Sequence, residues 1–253
     1  MGIKSALLEN LPRPIAKQLY LLRNYETVID SEILDGVKVQ LGVPARNQVW
    51  IDRLNTKEGH EIAISRWMRD LVRPGEVMYD IGSCYGCFPA LLAGVHKGMK
   101  IHAFEGDWKQ LYFLERNIPR NKRDSETRIV SKFLGKQSSG NILALDDHIA
   151  QTGQSPTIIK MDTDGAEYDI LLGAKKLIAS RTCEWLIEIH PNILKGKGVD
   201  LKMITDCFGD GHIIKGLIDL RDGNVEWETD LSKLDMDDNP YIYVAPEEIA
   251  RFK

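Results

Sequence analysis

No apolar run in the 253-residue sequence approaches the roughly 20 residues that a membrane-spanning helix needs. The first twenty residues, MGIKSALLENLPRPIAKQLY, lack an apolar core followed by a small-residue cleavage site, so no secretory signal peptide is expected. Cysteine is scarce. Four in a chain this long make no disulfide framework and point to a reducing compartment, the cytoplasm. A strong charge imbalance is also missing: a net charge of −4 gives no general attraction to nucleic acid or to an anionic membrane. There is no internal repeat, no low-complexity tract and no G-x-G-x-x-G fingerprint of a dinucleotide site.

What is present is apolar material, 43% of the residues, enough for the core of one large α/β domain with an N-terminal extension. Leu7, Leu8, Leu11, Ile15, Leu19 and Leu22 are spaced as in helices, and Pro12 and Pro14 divide them into two short ones. GVKVQLGV and NQVWIDRL alternate around the turn-rich PARN and predict a small hairpin. EGHEIAISRWMRDLV reads as a helix stopped by RPG. From residue 76 the pattern changes to EVMYDIG, KIHAFEG, RIVSKFLG, TIIKMD and EWLIEIH as strands. The intervening CFPALLAGVH, DWKQLYFLERNI and AEYDILLGAKKLI read as helices. That alternation is the signature of a Rossmann-like, doubly wound, mostly parallel sheet with helices on both faces. HIIKGLIDL and NPYIYVAP are two further strand candidates. The expected division is residues 1–70 as a substrate-side extension and 71–253 as the ligand-binding domain.

In such a sheet ligands gather at the carboxyl ends of the strands. MYDIGSCYGCF, at the first core strand, has the form D-x-G-x-x-x-G: Asp80 ends the strand, Gly82 admits a ligand close to the backbone and Gly86 lets the next helix pack tightly. Glu105, at the tip of the second strand and about 20 residues on, is placed to accept hydrogen bonds from ribose hydroxyls. An ordinary tight turn and a solvated strand end explain each feature alone. Together they specify a nucleoside ligand without a pyrophosphate. Trp108, just beyond, either packs on an adenine or is a core aromatic of its helix.

DIGSCYG, FEG, LDDHI, IIKMDTDGAEYDILLGA and EIHP occur in the order and spacing of the FkbM-type methyltransferases, which the sequence resembles over about residues 58–192. The resemblance implies a class I S-adenosylmethionine-dependent enzyme that O-methylates a hydroxyl of a small molecule or saccharide, on a seven-stranded sheet with its last strand reversed. It implies that Asp80, Gly82 and Gly86 line the methionine and ribose end of the cofactor, with Ser83 and Gly106 in the same two loops, that Glu105 binds the ribose, and that Asp162 stands beside the methyl group. Ser83-Cys84-Tyr85, Gly106 and Asp164 depart from the family's usual residues.

Strand alternation puts Lys160 and Asp162 on one face, and Glu188 and His190 on one face of the next strand. Buried charges need partners, so a Lys160–Glu188 or Lys160–Asp162 pair is one explanation. The other is catalysis. Methyl transfer to a hydroxyl needs an aligned oxygen and a group to take its proton, and His190 or Asp162 suits that role. Asp164 and Glu167 read as a capping box. Cys84 and Cys87 form a lone C-x-x-C, for which zinc is not expected and redox chemistry is the minor reading. Asp162, Glu188 and His190 are chemically able to hold a divalent metal, although nothing in their spacing requires one. The competing readings are a nicotinamide-dependent oxidoreductase, a cofactor-binding protein without catalysis, and a nucleic-acid or protein methyltransferase. Neither a nucleic acid nor a membrane is expected as a partner.

Overall fold

The computed structural model describes residues 11–34, 36–55, 62–219 and 225–251. The expected helix around Leu7 and Leu8 lies outside them. Helix α1 (Arg13–Arg23) starts at Pro12, with Pro14 in its first turn, where a missing N–H costs nothing. Strands β1 (Glu26–Leu34) and β2 (Val37–Pro44) form an antiparallel hairpin with Glu26 opposite Pro44. The expected hairpin is therefore displaced. GVKVQLGV supplies its second strand, and most of NQVWIDRL is helix α2 (Gln48–Asn55). Val49 and Ile51 alternate as in a strand, but Asn47 Oδ1 accepts the Trp50 N–H at 3.4 Å, the bond of a helix N-cap. Helix α3 (Ile62–Leu71) buries Trp67, Met68 and Leu71, as its spacing predicts.

The remaining strands are β3 (Val77–Ile81), β4 (Lys100–Phe104), β5 (Glu126–Val130), the short pair β6 (Phe133–Leu134) and β7 (Ile142–Leu143), β8 (Ile158–Met161), β9 (Glu184–Glu188), β10 (His212–Asp219), β11 (Val225–Glu228) and β12 (Tyr241–Pro246). Among the described residues one eight-stranded sheet runs β11-β10-β12-β9-β8-β3-β4-β5. β5, β4, β3, β8 and β9 are parallel, and β12 runs against both β9 and β10. This is the expected Rossmann-like sheet with a reversed strand, extended from seven strands to eight by β11 on its outer edge. Trp227 makes that extra strand worthwhile: its ring lies 5.3 Å from Trp67 and 5.6 Å from Tyr243.

Neighbouring residues of the central strands belong to opposite cores. Met78, Leu186 and Tyr243 pack on one face, and Tyr79, Trp185 and Val244 on the other. Helices α4 (Cys87–Val95) and α5 (Trp108–Arg120) follow β3 and β4. After them come α6 (Leu145–Thr152), α7 (Glu167–Leu172), α8 (Lys175–Ser180), α9 (Pro191–Gly196) and α10 (Leu201–Asp206). AEYDILLGAKKLI is thus two helices broken at Gly173, and RIVSKFLG is divided between β5 and β6. The hairpin is pinned to α5 by two buried amides. Asn117 accepts the Gly42 N–H at 2.7 Å and donates to Gly42 O at 2.9 Å, and Asn121 does the same with Gln40 at 2.9 and 2.8 Å.

Under the other face lies a buried histidine pair. His102 Nδ1 is 2.8 Å from His148 Nε2, His102 Nε2 is 2.6 Å from Gln154 Oε1, and Tyr79 stacks on His102 at 4.7 Å. Burial pushes both imidazoles below their ordinary range, and the neighbouring His102 helps bring His148 to about 4. The unfolded chain therefore binds more protons than the folded one between pH 6.5 and about 4. The stability this group contributes is complete above pH 6.5 and is lost as the pH falls towards 4, up to about 3 kcal/mol. We expect the Tm of His148→Gln to fall less steeply than that of the wild type between pH 7 and 4.5. Parallel Tm–pH curves would show that the pair carries no such linkage.

Candidate functional site

At the carboxyl ends of β3, β4 and β8 lies a cleft of about 520 Å³, a size usual for small-molecule sites. Its walls include Gly82, Ser83, Glu105, Gly106, Lys160 and Asp162 from the sequence-predicted set. They also include Trp50 and Arg53 of α2, Gln110 of α5, and Lys132 and Phe133 after β5, none of which the sequence singled out. Two predicted cofactor residues stand behind the wall. Asp80 is buried within β3, and Gly86 is the N-cap of α4.

The loop after β3 is built from its backbone. Gly82 has φ +80°, and a Cβ there would lie 1.8 Å from Asp162 O, so only glycine lets the β3 and β8 loops touch. Gly82 N–H and Ser83 N–H both donate to Phe104 O, at 3.1 and 3.0 Å. Ser83 Oγ donates to Asp80 O at 2.8 Å. The carboxylate of Glu105 closes the loop from the other side: Oε2 accepts the Cys84 N–H at 3.0 Å and Oε1 the Asp107 N–H at 2.8 Å. Burial raises its carboxyl to about 7 against those two bonds. Hydroxyl donors brought by a ligand would favour the charged form further. Cys84 and Cys87 are both free thiols. Burial, with Glu105 alongside, pushes the Cys84 thiol well above its ordinary range, which disfavours a free thiolate near neutral pH. Trp108 packs edge-on against Tyr20 at 5.4 Å and is not part of the cleft wall.

The four ionisable residues predicted from β8 and β9 converge. Lys160 is buried, its Nζ 3.2 Å from Asp162 Oδ2 and 4.6 Å above the Phe88 ring. Burial alone would raise the Asp162 carboxyl. Lys160, a hydrogen bond with Glu188 and the nearby His190 outweigh it and hold the group below the usual carboxylate range. Glu188 Oε2 accepts the Tyr241 hydroxyl at 2.8 Å. His190, at the N-cap of α9, places Nδ1 2.8 Å from Glu167 Oε1 and turns Nε2 towards Asp162, Asp164 and Glu188. Burial pulls the imidazole down, but Glu167 and the other carboxylates prevail and raise it above its ordinary value.

The capping box is not formed. The N-cap of α7 is Ala166, without a side-chain bond, and Asp164 has φ +50°. Glu167 is fully buried; its Oε1 accepts the Gly165 N–H at 3.0 Å while facing His190. Its link to His190 spans 23 residues, so no local spacing announces it.

The family model of the methyltransferase FkbM domain matches residues 91–214, beginning beyond the glycine loop. A structure titled methyltransferase FkbM from Methylobacillus flagellatus KT aligns with a TM-score of 0.50 at 20% identity, over 78% of this chain and 57% of that one. A putative SAM-dependent methyltransferase from Streptococcus mutans aligns with a TM-score of 0.50 at 10% identity, over 87% and 55%. The chain spans little more than half the length of either, and at such identities the likeness is one of fold. No curated protein matches the sequence. The FkbM match takes in β4, β8 and β9 but not β3, and over that stretch the chain is similar to the FkbM-type class I S-adenosylmethionine-dependent methyltransferases.

Proposed function

We propose that this protein transfers the methyl group of S-adenosylmethionine to a hydroxyl oxygen of a small molecule or saccharide. The observation that carries the reading is one cleft with two unlike ends. Glu105 stands at the β4 end, Lys160 and Asp162, backed by His190, stand at the β8 end, and the glycine loop after β3 lies between them. The backbone of Gly82, Ser83 and Cys84 with the Glu105 carboxylate would hold the cofactor. The fit rests on Gly82, where any Cβ would close the approach of the two loops, and on Glu105, whose buried carboxylate suits hydroxyl donors. The bound cofactor supplies an electrophilic methyl on sulfur.

The chain's own residues then have two tasks. They must hold the hydroxyl in line with the departing sulfur, and they must take its proton. Asp162, kept charged by Lys160, accepts a hydrogen bond from the hydroxyl and orients it. His190, whose Nδ1 is fixed by Glu167, stands 3.6 Å from Asp162 and receives the charge that the displaced proton brings. The described part of residues 1–70 forms the acceptor side in this reading, supported by Trp50 and Arg53 on the cleft wall and by Trp50 standing 4.9 Å edge-on to Tyr85. Among the described residues no helix is long and apolar enough to cross a membrane.

A thermal-shift comparison tests the cofactor half directly. S-adenosylhomocysteine at a hundred times its Kd is expected to stabilise the protein by about 2.7 kcal/mol, a rise of roughly 5–10 °C, and NAD to leave Tm unchanged. Stabilisation by NAD alone would overturn the reading in favour of an oxidoreductase.

A further inference from the structure

We propose that Asp162 Oδ1, Glu188 Oε1 and His190 Nε2 bind one divalent cation of the Mg²⁺ or Mn²⁺ kind at the acceptor end of the cleft. The inference rests on the methyl-transfer reading only for the use made of the ion. The site itself rests on geometry. One ligand atom from each residue lies within 4.8 Å of the others. His190 Nε2 is 3.6 Å from Asp162 Oδ1 and 4.0 Å from Glu188 Oε1, and Asp164 Oδ1 stands 3.5 Å away on the solvent side. These separations exceed the N–H···O range of about 2.7–3.2 Å. They fall between the edges of a coordination sphere with bonds of about 2.1 Å, where adjacent ligands are about 3.0 Å apart and opposite ones about 4.2 Å.

The outer partners make the second, independent observation. Each of the three side chains uses one polar atom on an outer protein group: Asp162 Oδ2 on Lys160 at 3.2 Å, Glu188 Oε2 on the Tyr241 hydroxyl at 2.8 Å, and His190 Nδ1 on Glu167 Oε1 at 2.8 Å; the hydrogen bond between Asp162 and Glu188 is the contact the ion would replace. The last contact fixes Nδ1 as the protonated nitrogen. It leaves the lone pair on Nε2, an atom of a side chain that is only 5% exposed and is aimed at the carboxylates. A carboxylate behind the remote nitrogen is the arrangement that orients metal-bound histidines. Two carboxylates and one imidazole form a mixed oxygen and nitrogen set that suits Mn²⁺ or Mg²⁺ completed by water or hydroxyl oxygens. An acceptor hydroxyl taking one of those positions would be oriented towards the methyl group and would release its proton more readily, to the exposed Asp164 carboxylate or to water, since the ion would then occupy His190 Nε2.

Titration of the full-length protein with Mn²⁺, followed by the loss of the free-ion electron paramagnetic resonance signal, tests this. One Mn²⁺ per chain is expected, with affinity at least tenfold weaker in Glu188→Gln and in the half-exposed Asp162→Asn, and tenfold to a hundredfold weaker in Glu167→Gln through the orientation of His190. If the buried variants fail to fold, as judged by circular dichroism, Asp162→Asn alone decides. Absence of stoichiometric binding by the wild type at millimolar Mn²⁺, or undiminished binding by Asp162→Asn, overturns the proposal. S-adenosylhomocysteine binding in the same samples separates the two readings. If it persists without Mn²⁺ binding, only the cation site fails; if it too is absent, the methyltransferase reading of the cleft fails.

Discussion

Asp162→Asn is expected to bind S-adenosylhomocysteine nearly as the wild type does, while turnover falls by about 10²–10⁴. The substitution keeps the shape of the side chain and removes the charge that Lys160 stabilises at 3.2 Å. It leaves Glu105 and the glycine loop unaltered, because that loop meets Asp162 at its main-chain carbonyl and not at its carboxylate. His190→Ala is expected to behave alike, because it empties the position through which Asp162 is coupled to Glu167. The measurement is methyl transfer to whichever hydroxyl compound the wild type methylates fastest, beside cofactor binding by calorimetry. If both variants keep near-normal kcat, these residues are structural and the proton leaves by another route. A parallel loss of binding and turnover would instead mean that the cluster only shapes the cofactor end.

The second large effect is structural. Gly82→Ala places a carbon 1.8 Å from Asp162 O at a residue with φ +80°. The conformation alone costs about 1–3 kcal/mol, and the collision forces the β3 and β8 loops apart. We expect a loss of at least about 3 kcal/mol in urea unfolding, together with loss of S-adenosylhomocysteine binding. Gly153→Ala is the control: φ is +66° and nothing lies within 4 Å of the added carbon. It should show the conformational cost without any effect on binding. Equal stability losses in the two variants would mean that the loops part easily and that the close approach is incidental.

The core between Val77 and Glu188 was legible because its signals are local. Apolar runs such as MYDI and TIIKM suit strands covered on both faces, and Asp107 caps α5 by accepting the Lys109 N–H at 2.9 Å. The acidic tip at Glu105 and the face shared by Lys160 and Asp162 follow from strand periodicity. The N-terminal region was less legible. Glu26–Leu34 becomes a strand only by pairing with Val37–Pro44, and that hairpin is stabilised by Asn117 and Asn121, more than 70 residues along the chain. In the helix Gln48–Asn55 the cap at Asn47 outweighed an alternation that looked like strand. Trp50, Arg53 and Phe133 reach the cleft through tertiary packing, and no spacing in the sequence foretells it. Glu167 escaped for the opposite reason: its local motif was complete enough to suggest a cap, and the fold used the carboxylate to face a histidine instead.

Asn117 also donates to Tyr85 O at 2.8 Å, in the loop that follows Gly82, while its amide holds Gly42 of the hairpin. One fully buried side chain thus joins the N-terminal hairpin, helix α5 and the glycine loop after β3. The extension is consequently not an exchangeable module. A replacement hairpin would have to present a main-chain N–H and C=O to this amide in the same register, and one that did not would disturb the glycine loop as well.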